Sequence, residues 1–176
     1  FIDSERIRHS DYVKLTFLGG TMNYVAKDSE FQERLLNRFI KYAKIWTESN
    51  LEKAEQGIMP SEEHEFDLAK QLSAELTVMG LQEVQITENC YTYAYLAPSK
   101  GVENAPSFCL LAHIDTVDEV SGKNVKPIVY PAYDGTPIDL QCNVRHDPKK
   151  DFALAQAAEK RETIITSDGT SLLGAD

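Results

Sequence analysis

The segment Ser107-Phe108-Cys109-Leu110-Leu111-Ala112, entered from Pro106, constrains the fold of this chain more than any other. It is apolar almost without interruption. A short apolar run of this kind is the pattern of a strand buried on both faces, which belongs in the middle of a parallel sheet covered by helices. On this expectation Cys109 is a buried, inert thiol. The run delivers His113-Ile114-Asp115. Because side chains alternate along a strand, His113 and Asp115 leave it on the same side, at the edge where open α/β sheets place their sites. One imidazole can then bind a metal while the carboxylate orients its other nitrogen. Taken alone, the triplet is outweighed by a plainer reading as a strand-end histidine. With 4 histidines and 28 acidic residues in the chain, chance supplies such a triplet readily.

The surrounding pattern alternates between helical and extended periods. From Ser29, the residues Phe31, Leu35, Leu36, Phe39, Tyr42, Ala43 and Trp46 recur at steps of three and four, which predicts a core-packing amphipathic helix; Ser29 and Gln32 form its capping box. Residues 47–60 read as a polar connection. A second helix is expected from an N-cap at Ser61, with Leu68, Leu72, Leu76 and Met79 as its stripe and Gly80 as its stop. The period then shortens to two. Val84 and Ile86, followed by Tyr91, Tyr93 and Tyr95, predict two strands with the tyrosines on one sheet face. Residues 121–148 read as irregular, with short strands at 128–130 and 138–140, and residues 152–160 as a short helix. The β-branched residues 163–166, the Asp168-Gly169 turn and residues 171–173 suggest a hairpin.

Charge and composition remove several classes of function. A formal net charge of -10 disfavours nucleic acid as a partner. No apolar run reaches the ~18 residues of a membrane span, and the first twenty residues carry charges where a signal peptide would be apolar. Cys90, Cys109 and Cys142 lack C-x-x-C spacing, so a reducing cytoplasm fits better than a disulfide or zinc-knuckle framework. Gly122-Lys123 lacks the earlier glycine of a phosphate loop, and no Gly-x-Ser-x-Gly elbow occurs. His9, His64 and His146 read as solvated.

Three collinear stretches carry more weight. They are Ala112-His113-Ile114-Asp115-Thr116, then Ser121-Gly122-Lys123-Asn124-Val125-Lys126-Pro127, then the run from Thr166 through Ser167-Asp168-Gly169-Thr170-Ser171-Leu172-Leu173-Gly174-Ala175 to Asp176. Together with Pro60-Ser61, Met79-Gly80-Leu81 and Tyr133-Asp134-Gly135, they resemble the peptidase T family of di-zinc aminopeptidases over roughly residues 31–176. Val117-Asp118-Glu119 and Gly135-Thr136-Pro137 depart from the family pattern. The resemblance implies an α/β chain that is the N-terminal part of a three-layer α/β/α zinc-peptidase catalytic domain. It implies that His113 ligates one zinc, that Asp115 holds that imidazole in its tautomer, and that Asp176 bridges two zinc ions. The implied activity is release of the N-terminal residue from short peptides, tripeptides first. A dipeptidase or N-acyl amino acid hydrolase of the same clan, and a non-catalytic truncated relative, are the alternatives. A homodimer of the intact enzyme is open. Gly19-Gly20-Thr21 ahead of Met22 suggests that residues 1–21 are an extension and residues 22–176 the peptidase portion. With one terminal ligand and one bridge, these 176 residues alone are expected to bind zinc weakly and turn over nothing.

Overall fold

A computed structural model describes residues 12–17, 20–25 and 29–174, in two compact units, residues 1–41 and 42–176. In the first unit, β1 (Tyr12–Phe17) pairs antiparallel with β2 (Gly20–Val25), Tyr12 facing Val25 and Phe17 facing Gly20. The expected boundary at Met22 falls inside β2, opposite Leu15.

The helix α1 (Ser29–Ala43) forms where the periodicity predicts it. Burial of its stripe rises toward the C-terminal end, with Leu36 and Phe39 half-buried. Ala43 is buried and Tyr42 Oη donates to Glu75 Oε2 at 2.7 Å, whereas Phe31 and Leu35 are exposed. Trp46 lies beyond the helix end rather than on its stripe. The polar connection holds a short helix, α2 (Leu51–Glu55), because Asn50 Oδ1 accepts the Lys53 N–H and so caps its first turn. The next helix, α3 (Glu65–Val78), starts four residues after the expected cap. Ser61 Oγ and the Glu62 N–H both donate to Glu65 Oε1, so one buried carboxylate organises the entry turn. Leu68 and Ala69 are its buried residues of the stripe side. At its end Gly80 takes φ +86°, the Gly80 N–H reaches the Thr77 carbonyl and the Leu81 N–H reaches the Leu76 carbonyl. That pair of bonds satisfies two of the last carbonyls and stops the helix.

The alternating segment becomes a hairpin of β3 (Gln82–Ile86) and β4 (Thr92–Tyr95), with a bulge near Glu83, which has φ 52°. Tyr91, Tyr93 and Tyr95 share a side as expected, and that side is exposed.

Residues 107–112 correct the strongest expectation. They form no strand, and Phe108, Leu110 and Leu111 are 85%, 87% and 90% exposed. Cys109 is accordingly exposed, not buried. A doubly buried strand needs neighbours on both edges and a layer on both faces, and among the described residues no segment pairs with 107–112. Among the described residues, parallel pairing survives as the single bridge between Glu48 and Thr116, just beyond the run. The described sheets are all two-stranded and antiparallel, so the structure is a mixture of helices and small antiparallel sheets. That composition is consistent with an α/β chain.

The remaining elements build the main core. They are β5 (Ile128–Tyr130), β6 (Ile138–Asp139), β7 (Arg145–His146), α4 (Phe152–Glu159) and β8 (Ile164–Thr166). Asp151 caps α4 through the Leu154 N–H. Tyr133, Ile138 and Ala157 are buried, with Tyr130, Leu140, Leu154, Ala158 and Ile164 packed on them. The expected hairpin of 163–166 with 171–173 does not form. β8 instead pairs antiparallel with β5, Ile128 facing Thr166, while the Leu172 N–H bonds to the Ser121 carbonyl. Among the described residues no helix is long and apolar enough to cross a membrane.

Candidate metal centre

His113 and Asp115 emerge from a loop, with side chains 59% and 48% exposed. His113 Nδ1 lies 2.9 Å from the Asp115 carbonyl oxygen and 3.3 Å from Asp115 Oδ1. Both are acceptors, so Nδ1 must carry the proton and the ring is held as the Nδ1–H tautomer when neutral. This places the carboxylate where it can orient the ring, and Nε2 is then the ring nitrogen that could hold a metal.

The pair is held by residues 47–51, from the segment between α1 and α3. The Thr116 N–H donates to the Thr47 carbonyl, and the Ser49 N–H to the Thr116 carbonyl, both at 2.9 Å. Ser49 Oγ donates to Asp115 Oδ2 at 2.7 Å, and the Leu51 N–H to Asp118 Oδ2 at 3.0 Å. Glu48 secures the far end of the loop: its Oε2 accepts the Gly122 N–H at 2.8 Å, Ser121 Oγ at 2.9 Å and Trp46 Nε1 at 3.3 Å. Partial burial works to raise the Glu48 pKa, but those three donors and the nearby His64 outweigh it and hold it below the ordinary value. His64 stacks on Trp46 with ring centroids 3.6 Å apart and donates through Nε2–H to the Glu48 carbonyl, 2.9 Å away, which as an acceptor fixes the proton on Nε2. Lys123 Nζ sits 4.4 Å from the Trp46 ring centre. His64 is therefore a packed residue rather than a solvated one.

Sequence reasoning found His113 and Asp115 and missed Trp46, Glu48 and Ser49 as their support. Periodicity assigns Trp46 to the helix stripe and carries no trace of Glu48 or Ser49, because all three act through a loop that meets residues 116–122 in three dimensions.

Asp168 organises the turn that leads into residues 171–174. Its Oδ1 accepts the Thr170 hydroxyl and N–H, its Oδ2 accepts Lys126 Nζ at 3.0 Å, and its carbonyl accepts the Gln141 N–H at 2.9 Å. The Thr170 donors, chiefly, and Lys126 lower its pKa to about 2. A carboxyl whose folded pKa lies below its unfolded value near ~3.9 stabilises the fold above that value and loses the contribution as pH falls through the folded pKa. Asp168→Asn should therefore lower Tm at pH 6, with the gap to wild type closing between pH 4 and pH 2. Thermal unfolding across that range checks it, and a gap that persists unchanged at pH 2 would contradict the linkage.

Asp176, the expected bridging carboxylate, lies outside the described residues. Among the described residues no three His, Cys, Asp or Glu side chains converge closely enough to hold a metal ion. The donor chemistry of His113 oriented by Asp115 fits one ligand of a zinc site, and the described residues supply that one.

No family profile matches the chain. Peptidase T of Listeria welshimeri is 44% identical over 147 residues, covering 82% of this chain and 34% of that protein. Peptidase T of Bacillus licheniformis and of Geobacillus thermodenitrificans are 42% and 40% identical over the same shares. The chain thus spans about a third of the length of the relatives it matches. Identity of this order along most of the chain, with the His113–Asp115 pair inside a loop secured by residues 47–51, makes it a member of the peptidase T family.

Proposed function

We propose that this chain contributes the first zinc ligand, and the loop that holds it, to a metallo-aminopeptidase acting on short peptides, tripeptides foremost. The observation that carries the reading is the His113 ring held through Nδ1 by Asp115, in a chain of the peptidase T family. His113 would ligate one zinc through Nε2, Asp115 would keep the ring in that tautomer and raise its basicity, and Asp176 would bridge two zinc ions. Bound zinc supplies Lewis-acid polarisation of the scissile carbonyl. A peptidase is the coarser statement that the relatives support by name; zinc dependence, aminopeptidase direction and tripeptide preference are parts of the proposal. Cys109 and Cys142 are exposed and unpaired, which suits a reducing cytoplasm.

The test is made on the full-length natural protein. It should release the first residue of Ala-Ala-Ala, lose that activity on chelation and regain it with zinc, while leaving dipeptides and N-acylated alanine largely intact. Activity indifferent to chelation would remove zinc from the reading. Preference for the N-acylated substrate would move the protein to another member of the clan.

A further inference from the structure

We propose that Ser49 is a positioning residue for the His113–Asp115 pair, its hydroxyl fixing the Asp115 carboxylate so that the other oxygen holds His113 Nδ1; as a statement about zinc it rests on the reading above.

The geometry divides the two carboxylate oxygens of Asp115 between two partners. Oδ2 accepts Ser49 Oγ at 2.7 Å, and Oδ1 stands 3.3 Å from His113 Nδ1, as the second acceptor beside the Asp115 carbonyl oxygen at 2.9 Å. Asp115 is half-exposed, so water competes for both oxygens. With Ser49 Oγ on one of them the carboxylate plane is set, and rotation that would turn Oδ1 away from the imidazole costs the shorter bond. The hydroxyl is itself fixed from behind. Ser49 is tied to Thr116 through its own N–H, and Thr47 receives the Thr116 N–H on the other side. Glu48, between them, is anchored by Ser121, Gly122 and Trp46. Trp46 is in turn stacked on His64, with Lys123 near its ring. Residues 46–49 are thus braced on both backbone and side-chain sides, and the only side chain of that segment aimed at Asp115 in these bonds is Ser49. A merely structural serine would need none of this direction, because the backbone bridge to Thr116 already joins the two segments.

The experiment uses the full-length protein with ¹⁵N-labelled histidine. In the metal-free wild type, the His113 ring should show the Nδ1–H tautomer at pH 8. Ser49→Ala should move it toward Nε2–H, weaken zinc binding by about 10–100-fold and lower kcat with little change in KM. Ser49→Thr, which keeps the hydroxyl, should restore all three. In an Asp115→Asn background, Ser49→Ala should add nothing further, since the hydroxyl acts through that carboxylate. An unchanged tautomer in folded Ser49→Ala, or losses that add fully to those of Asp115→Asn, would overturn the assignment. Should Ser49→Ala fold poorly, the cycle run with Ser49→Thr and Ser49→Cys decides it: hydroxyl present and absent must separate in tautomer. If wild type neither binds zinc nor cleaves peptides, the function proposed above fails, while the tautomer still decides on Ser49.

Discussion

Gly169→Ala should destabilise the fold by roughly 3–5 kcal/mol, through backbone strain and overlap together. Gly169 has φ +91°, a conformation in which a side chain is strained wherever it points. A Cβ there would also stand 2.6 Å from the Gln141 carbonyl oxygen and 2.9 Å from its nitrogen. Backbone cannot rotate aside as a lysine tip can. The only relief is to part the 168–170 turn from Gln141, and that breaks the bond from the Gln141 N–H to the Asp168 carbonyl. Gly57 and Gly101 are the internal controls. They also have positive φ, at +77° and +89°, but a Cβ would meet nothing within 4 Å, so alanine there should cost only about 1–2 kcal/mol. Urea unfolding midpoints of the three variants compare the terms directly. Equal losses at all three would mean that the contact with Gln141 contributes nothing.

How much of the fold could be read from the sequence depends on the range of the interactions that make each element. The helices at Ser29–Ala43 and Phe152–Glu159, the end of a third at Gly80, and the hairpin around residues 87–91 follow from periods, caps and turns within a dozen residues, and they form as expected. Residues 107–112 fail because burial of a strand is not a local property. The composition is that of a doubly covered strand, yet with no neighbour on either edge among the described residues the same side chains lie in solvent. The hairpin of 163–166 with 171–173 fails for a related reason. The turn residues are where the sequence puts them, but Asp168 spends its bonds on Lys126, Thr170 and Gln141, and Ile164–Thr166 takes Ile128–Tyr130 as its partner.

The site divides in the same way. His113 and Asp115 are two residues apart, so their mutual geometry is nearly a local matter and the motif alone anticipates it. The Ser49–Asp115 bond spans 66 residues and the Glu48–Gly122 bond spans 74. Such contacts leave no pattern in a single chain, because any polar loop could supply a serine and a glutamate. What makes them particular is the two-sided backbone bridge at Thr116, which sets the register in which Ser49 meets Asp115 and Glu48 meets the 121–122 turn.

On the proposed reading, His113→Ala should cost on the order of a thousand-fold in kcat/KM, while leaving the fold within about 0.5 kcal/mol of wild type. A metal centre supplies several kcal/mol of transition-state stabilisation, and each ~1.4 kcal/mol lost is a factor of ten in rate. The structural cost is small because the ring is more than half exposed and Asp115, itself half-exposed, stays bonded to Ser49 when the ring is gone. Asp115→Asn should fall between these limits, at about 10–100-fold, since an amide can occupy the place without favouring the right tautomer. The order of the two effects carries the information. If His113 is a ligand, its removal must exceed that of Asp115 and must lower the zinc bound per chain, measured by metal analysis after dialysis. If Asp115→Asn proves as damaging as His113→Ala while zinc content stays at the wild-type level in both, the imidazole moves a proton instead of holding a metal, and the zinc assignment of His113 is wrong.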